Sequence, residues 1–146
     1  MADIEIIQIP MEMVGAMLPH LGPHLLRGAS AEPEQVNVKD TIDRIVDGRI
    51  QMWAIMTPDE IHAAFLTSVL SNDDGTFDLD VYGLGGAGIL KWGKLISDRM
   101  MSFARFTGCK RIVFSGRKAL LKAYDGVTIT GRRPDGLYQF ERQVAA

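Results

Sequence analysis

The chain has 146 residues, of which 47% are hydrophobic and 23% are charged. These values predict one soluble domain, residues 1–146, with enough apolar side chains for a core. No apolar run approaches the length of a membrane span, and Met1–Pro10 lacks the basic start and apolar centre of a signal peptide, so we expect a protein that stays in a cytoplasm or is packaged from one. The single cysteine, Cys109, excludes an internal disulfide and is expected to be a buried thiol.

Charge is distributed unevenly along the chain. The net charge is −2, but residues 1–80 carry 4 basic and 14 acidic side chains, about −10, whereas residues 81–146 carry 12 and 4, about +8. Either the two halves attract and partly cancel each other, or the basic half forms a face for phosphate, a nucleic acid or an acidic partner. The basic residues in question include Arg105, Lys110, Arg111, Arg117, Lys118, Lys122, Arg132 and Arg133. They lack the interleaved aromatic residues on which single-strand binders stack bases, which argues against nucleic acid.

Short apolar segments and prolines alternate at the start of the chain. The pattern predicts a strand at Ile4–Ile9, a helix at Met11–Leu18 and a break at Pro19 and Pro23. His20 and His24 have the spacing of two metal ligands on one helical face. Because Pro23 interrupts the helix that would align them, and no third ligand is near, no metal site is predicted.

The next predicted element is a helix at Val38–Asp47. Asn37 can cap its start, and Gly48 stands where a helix-ending glycine is expected. Its apolar positions, Ile42 and Val46, form a narrow stripe, which is typical of a surface helix that lies on another element.

Three strands connected by turns follow. Gln51–Met56 is short and apolar, Thr57–Glu60 is a turn, and Ile61–Leu70 is a long strand. Alternate residues of the long strand, Ile61, Ala63, Phe65, Thr67 and Val69, are expected to share its buried face. His62, on the opposite face, is expected to be a half-exposed sheet histidine. The turn Ser71–Gly75 then leads into a strand at Phe77–Tyr82, which completes an antiparallel meander.

A strand, a glycine run, a long helix and a second strand make up the centre of the chain. The strand at Phe77–Tyr82 is followed by Gly83, Gly85, Gly86 and Gly88, a helix at about Leu90–Thr107 ended by Gly108, and a strand at Arg111–Ser115. The helix is expected to bury Leu95, Ile96, Met100, Phe103 and Ala104 and to expose Lys94, Asp98, Ser102 and Arg105. Such a βαβ unit predicts two parallel strands joined by a right-handed crossover.

The chain is predicted to close with a short helix and a hairpin. The helix covers Arg117–Tyr124 and stops at Gly126, and strands at Val127–Arg132 and Leu137–Val144 are joined by a turn at Arg133–Gly136. The element order is therefore β-α-α-β-β-β-α-β-α-β-β. This order predicts an α/β fold with a mixed sheet, both chain ends in outer strands or hairpins, and Leu79 on the central strand.

This order of elements resembles the GNAT acetyltransferase superfamily along almost the whole chain. The resemblance implies that the strands at Phe77–Tyr82 and Arg111–Ser115 splay apart and that acetyl-CoA lies in the gap. It also implies that the pyrophosphate rests on the loop and helix start at Gly85–Gly93, where free backbone N–H groups and the helix dipole favour an anion.

The phosphate signature of that superfamily is matched only in part. Counting back from Gly108 places it on Gly88–Gly93, where Gly93 matches, Gly88 replaces an arginine or glutamine, and Lys91 replaces the first glycine. A side chain at Lys91 would crowd a backbone that must approach pyrophosphate closely. Alternatively, the glycine run forms a differently shaped anion nest assisted by two lysines. The candidate cofactor residues are thus Gly85, Gly86, Gly88, Lys91, Gly93 and Lys94.

Candidate catalytic residues follow from the same resemblance. Many members place a tyrosine, as a general acid, four residues before a Gly-Phe pair. Here Gly126-Val127 corresponds to that pair, Lys122 occupies the tyrosine position, and Tyr124 is two residues out of register. For a general base, Asp78 and Asp80 lie on the polar face of the central strand and Glu60 near the neighbouring strand. The candidates retained are Asp80, Glu60 and Tyr124.

A narrower resemblance is to small GNAT-like proteins of tailed bacteriophages. These show a tryptophan early in the long helix, Ala-Arg and Gly-Cys at its end, and Gly-Arg after the next strand. The matching residues here are Trp92, Ala104-Arg105, Gly108-Cys109 and Gly116-Arg117. The group includes virion-assembly and internal virion proteins, in which no acetyl transfer is implied.

Two functions are therefore compatible with the sequence. One is a virion-associated or assembly protein that keeps the GNAT fold with a degenerate acyl-CoA site and contacts other virion proteins or copies of itself. The other is an acetyl-CoA-dependent N-acetyltransferase, in which an amine attacks the thioester and a backbone N–H near Tyr82 polarises the carbonyl. The incomplete phosphate signature favours the first and predicts that acetyl-CoA binds weakly or not at all. The location expected from the sequence is the virion or the host cytoplasm.

Overall fold

The computed structural model describes residues 4–17, 19–21, 23, 43–86, 92–116, 126–134 and 136–144. Seven described strands form one sheet in the order β1-β2-β3-β4-β5-β7-β6. They are β1 (Glu5–Gln8), β2 (Gln51–Met56), β3 (Ile61–Ser71), β4 (Phe77–Gly86), β5 (Arg111–Gly116), β6 (Thr128–Arg132) and β7 (Tyr138–Gln143). The helices are a 3-10 turn at Met11–Met13, α1 (residues 14–17, 19–21 and 23), α2 (residues 43–46) and α3 (Gly93–Thr107). The predicted mixed α/β fold is confirmed, with β4 in the middle and β1 and β6 at the edges.

The chain divides into two compact units. Unit 1 comprises Met1–Thr67 and Tyr82–Ile89, and unit 2 comprises Ser68–Val81 and Leu90–Ala146, so that β3 and β4 contribute residues to both. The predicted helix at Arg117–Tyr124 lies outside the described residues. Among the residues that the structure describes, no helix combines the length and the apolar character needed to cross a membrane.

Unit 1 is built on the antiparallel strands β1, β2 and β3. β1 pairs with β2 from Glu5↔Met56 to Gln8↔Trp53, and β2 pairs with β3 along its whole length. One face of these strands packs against α1 and α2. The core on this face consists of Ile9, Val14, Leu21, Ile45, Ile50, Met52, Ala54, Ala64, Leu66 and Tyr82.

Two predictions about the helices of unit 1 are wrong. Pro19, where a break was predicted, is helical together with residues 20 and 21, and Leu21 is fully buried. In α2 the buried residue is Ile45, whereas Val46 is 59% exposed. Gly48 does end this segment with a positive φ of 79°, as predicted.

β3 is buried on both faces rather than on one. Ala63, Ala64, Phe65, Leu66 and Thr67 are all buried in succession, so the alternation expected for a one-sided strand does not hold. Strands that are buried on both faces have continuous apolar sequences, which explains the continuous apolar segment of β3. His62 is half-exposed, as predicted.

Unit 2 contains the central β4–α3–β5 crossover and the closing hairpin. β4 and β5 are parallel, from Asp78↔Arg111 to Val81↔Phe114, which confirms the predicted βαβ unit. β7 pairs antiparallel with both β5 and β6, and the β6–β7 turn places Gly136 at a φ of 89°. Phe114 and Phe140 stack across β5 and β7 with ring centroids 5.1 Å apart.

The buried stripe of α3 matches the predicted one except at one position. Ile96, Met100, Phe103 and Ala104 are buried, and the four residues predicted to be exposed are exposed. Leu95, predicted to be buried, is 47% exposed. At 3.6 residues per turn Leu95 lies on the side of the helix opposite the centre of the buried stripe. Ser97 and Met101 belong to the buried stripe instead. α3 ends at Gly108 in the left-handed conformation, as predicted.

The glycine run begins as strand, not as a turn. β4 extends to Gly86, so Gly83, Gly85 and Gly86 have extended backbones. Glycine in a strand interior is destabilising by about 0.5 to 1 kcal/mol relative to alanine, which explains why the run was predicted to be a turn. β4 is therefore four residues longer than predicted.

Candidate functional site

The carboxyl end of the parallel β4–β5 pair is the candidate site. The ladder between the two strands ends at Val81 and Phe114, and β5 runs on through Ser115 and Gly116, which pair with β7. In open α/β sheets, ligands bind beyond the carboxyl ends of parallel strands. The candidate site is this end of unit 2 together with the start of α3.

The amino end of α3 favours an anion. The N-cap residue is Trp92, whose side chain makes no capping hydrogen bond, and the first helical residue is Gly93. No acidic side chain occupies the first turn of α3, and the exposed Lys94 adds a positive charge there. The first N–H groups of a helix carry a partial positive charge, so an uncapped end of this kind suits phosphate or carboxylate oxygens.

The predicted cofactor residues occupy different elements. Gly85 and Gly86 are the last residues of β4, Gly93 is the buried first residue of α3, and Lys94 is exposed beside it. Gly88 and Lys91 lie outside the described residues. Gly93, the one residue that matches the phosphate signature, is thus described, and it lies at the amino end of α3.

The predicted catalytic residues belong to different units of the chain. Asp80 lies on β4 in unit 2, directly opposite Val113 of β5, and is half-buried. Glu60 is exposed in unit 1, where its carbonyl accepts a hydrogen bond from the Thr57 backbone N–H at 2.9 Å. Tyr124 lies outside the described residues.

Asp78, considered as a solvated base candidate, is instead buried in an ion pair. Arg111 donates to both of its carboxylate oxygens, Nε to Oδ1 at 3.0 Å and Nη2 to Oδ2 at 2.8 Å. The third nitrogen, Nη1, donates to Glu141 Oε2 at 3.3 Å. The Asp78 hydrogen bonds and charge, with Glu141 and Asp74 adding smaller contributions, raise the pKa of Arg111, so the guanidinium stays charged.

This pairing links three adjacent strands of unit 2. Asp78 is on β4, Arg111 on β5 and Glu141 on β7, and the bidentate geometry fixes the parallel register. Sequence reasoning missed it because a strand aspartate and a strand arginine 33 residues apart become neighbours only once the register is known. The alternation of apolar and polar residues placed Asp78 on the polar face of its strand, but it did not identify Arg111 as the partner of Asp78.

We expect Asp78→Asn to lower the melting temperature, because the amide keeps one acceptor but loses the charge that Arg111 pairs with. Circular dichroism melts would measure the change. Asp73→Asn is the matched control, since Asp73 is exposed in the β3–β4 turn. Equal melting temperatures for the two variants would show that the ion pair contributes nothing to stability.

No family model and no curated protein matches the sequence significantly. Among solved structures, an aminoglycoside 6'-acetyltransferase type Ii is similar over 97% of this chain and 98% of its own, at 11% identity and a TM-score of 0.69. A GNAT-family acetyltransferase from Staphylococcus aureus Mu50 is similar over 98% and 100%, at 14% identity and a TM-score of 0.62.

A third structure contains the cofactor. It is a predicted acetyltransferase from Clostridium acetobutylicum with acetyl-CoA, which aligns over 84% of this chain and 86% of its own at 10% identity and a TM-score of 0.54. All three identities are far too low to transfer an activity, but the similarity extends over nearly the whole chain in the first two cases. The chain therefore has the fold of the GNAT acetyltransferases.

Proposed function

We propose that this protein binds an acyl-coenzyme A at the carboxyl end of the β4–β5 pair and transfers its acyl group to an amine. The observation that carries the proposal is the start of α3, where Trp92 provides no side-chain cap and Gly93 and Lys94 come first, in a helix that connects the two strands of a parallel pair. The prediction that acetyl-CoA binds weakly rests on the residues at the signature positions before Gly93. The anion-binding character of the helix end does not depend on those residues, which is why we place the acyltransferase first.

The residues present fit a pyrophosphate. The first N–H groups of α3 need acceptors, and Gly93 has no side chain to keep an anion away from them. Lys94 contributes a point charge, and we propose Gly85, Gly86, Gly88 and Lys91 as further contacts. When bound, acyl-coenzyme A would supply an activated thioester, whereas orientation and proton removal are left to the protein.

Asp80 is the proposed general base. It is half-buried one residue before the end of the β4–β5 ladder, a position from which a carboxylate can take a proton from the substrate ammonium group, so that the neutral amine attacks the thioester. Glu60 is the alternative base, and Tyr124 is the proposed acid that returns a proton to the departing thiolate. Asp78 is excluded from this role by its pairing with Arg111.

The second candidate is the bacteriophage assembly protein with a degenerate acyl-CoA site. Trp92 favours it, because this bulky residue at the helix start, between the two glycine positions of the phosphate signature, would crowd a backbone that must approach pyrophosphate closely. Lys91 and Gly88 at the signature positions point the same way. In this case the protein acts through contacts with virion proteins or with itself, in the virion or the host cytoplasm.

Calorimetric titration with acetyl-CoA separates the two candidates. For the acyltransferase we expect a dissociation constant on the order of micromolar, corresponding to about −8 kcal/mol. Gly93→Trp should abolish binding by blocking the helix end. Lys94→Glu should weaken it by several-fold, because one charge pair in water contributes about 1 kcal/mol. Lys91→Gly should also weaken binding, because it removes one of the proposed contacts.

Lys110→Glu is the matched control for the charge change, because Lys110 is also an exposed lysine of unit 2 but lies at the start of β5, next to the Phe77 carbonyl. It should bind acetyl-CoA like the native chain. A thermal melt of Gly93→Trp confirms that the variant is folded. No heat with the native chain, together with its presence in purified phage particles, would reject the acyltransferase and support the assembly protein.

A further inference from the structure

Ser115 carries a buried hydroxyl group that bonds to no described residue. The buried polar or charged side chains in the described part of the chain are Thr57, Thr67, Asp78, Ser97 and Ser115. The first four each hydrogen-bond to another described side chain, whereas the hydroxyl of Ser115, a residue that is 9% exposed, does not. Burying a hydroxyl in this way costs free energy, so the group needs an explanation, and a ligand is one.

The hydroxyl lies at the carboxyl end of the β4–β5 pair. Ser115 is the first residue of β5 beyond the last pair of the ladder with β4, and its backbone pairs with Gln139 of β7. The Gln139 side chain extends toward β6, because its Oε1 atom lies 3.1 Å from the position that a Cβ on Gly131 would take. Ser115 therefore has a described strand partner on one side only, so a ligand that bonds to its hydroxyl would enter from the β4 side.

Ser115 shares a face of the sheet with Asp80, the proposed base. Asp80 pairs with Val113, and Ser115 follows Val113 by two residues, so the three side chains lie on the same face. A strand spacing of about 4.8 Å and a rise of about 3.3 Å per residue place the Cα atoms of Asp80 and Ser115 about 8 Å apart. Two hydrogen bonds to one nitrogen span about 5.6 Å, a separation that the two side chains reach by leaning toward each other.

α3 packs on the opposite face of the sheet. Arg142 of β7 donates a hydrogen bond to the Ser97 hydroxyl of α3, and Arg142 pairs with Ile112 of β5. Ile112 and Ser115 are an odd number of residues apart on one strand, so their side chains point to opposite faces. An acyl-coenzyme A held at the start of α3 therefore leaves the face of Ser115 and Asp80 to the acceptor.

We propose that the Ser115 hydroxyl binds the ammonium group of the acceptor and holds it beside Asp80. The hydroxyl oxygen accepts a hydrogen bond from one N–H of this group, while the Asp80 carboxylate accepts from another and removes that proton. The acceptor is a primary amine, whose ammonium form presents three N–H donors, one for each of the two oxygens and one for water. This inference rests on the proposed acyltransferase function and adds the residue that orients its acceptor.

Thermal melts test the unpartnered hydroxyl without any ligand. Ser115→Ala should melt at the native temperature or above it, because it removes a buried hydroxyl that bonds to no described residue. Ser97→Ala is the matched control: Ser97 is 8% exposed, but its hydroxyl accepts a hydrogen bond from Arg142, so this variant should melt at a lower temperature. If Ser115→Ala melts as far below the native chain as Ser97→Ala does, the hydroxyl has a structural role and the proposal is overturned.

Acetylation kinetics test the role of Ser115 toward the acceptor, with n-butylamine, spermidine and tryptamine as the primary amines. Ser115→Ala should raise the KM for the amine by about tenfold or more and leave the KM for acetyl-CoA unchanged, because one hydrogen bond to a charged group is lost. Ser115→Thr keeps the hydroxyl and should restore the KM for the amine. Ser97→Ala should change neither KM.

The failure of this inference can be told apart from the failure of the proposed function. An unchanged KM for the amine in Ser115→Ala, an equal rise in Ser97→Ala, or no acetylation of the three amines by a native chain that binds acetyl-CoA would each overturn the role of Ser115 and leave acyl-coenzyme A binding in place. A native chain that gives no heat with acetyl-CoA in the calorimetric titration would reject the proposed function, and this inference with it.

Discussion

Phe103→Ala is expected to cost about 3 to 5 kcal/mol of the free energy of unfolding, the range for truncating a buried phenylalanine. Phe103 is 7% exposed on the stripe that α3 turns toward the sheet, with Met100 and Ala104 beside it. Because protein interiors are close-packed, the neighbouring side chains cannot fill the space that the ring leaves. Urea unfolding of the native chain and of Phe103→Ala measures the difference in the free energy of unfolding. An unchanged slope of that free energy against urea concentration confirms that the two transitions are comparable.

Phe106→Ala is the control for this prediction on the same helix. Phe106 is 87% exposed, so its truncation should change stability by less than about 0.5 kcal/mol. A loss below about 1 kcal/mol for Phe103→Ala, or similar losses for the two variants, would mean that the buried side of α3 is not the one described here.

Periodicity was sufficient to predict most of the architecture. The three-to-four spacing along α3 and the glycine at its end predicted the helix and its termination, and the βαβ order predicted the parallel pair. Residue type was misleading at two helical positions. Leu95 and Val46 are as apolar as their buried neighbours, but each lies on the exposed side of its helix.

The candidate site was less predictable than the fold. Residue type alone made Asp78 and Asp80 equivalent, yet register places Asp78 against Arg111 and leaves Asp80 opposite Val113. The glycine run was equally ambiguous, because glycine is common both in turns and where strands end, and its first members proved to be strand. Cross-strand partners are set by long-range pairing, which no local pattern contains.

Thr67→Val is expected to cost about 1 to 3 kcal/mol, although the two side chains have nearly the same shape. The Thr67 hydroxyl accepts a hydrogen bond from Trp53 Nε1 at 2.9 Å and donates one to Gln51 Oε1 at 2.9 Å. Trp53 and Thr67 are fully buried, and Trp53 stacks in parallel on Phe65 at 5.8 Å. Valine would deprive a buried indole N–H of this acceptor in a place that water does not reach.

A double-mutant cycle isolates this hydrogen bond from the packing around it. Trp53→Phe removes the N–H together with part of the ring, so its own cost includes a cavity. In the Trp53→Phe background there is no indole N–H, so Thr67→Val no longer removes its hydrogen-bond acceptor. Thr67→Val should therefore lower the free energy of unfolding by less in this background than in the native chain. The coupling energy between the two sites is expected to lie at about 0.5 to 3 kcal/mol. Additive costs would contradict the prediction, because they would show that the hydroxyl stabilises β2 and β3 through its contact with Gln51 alone.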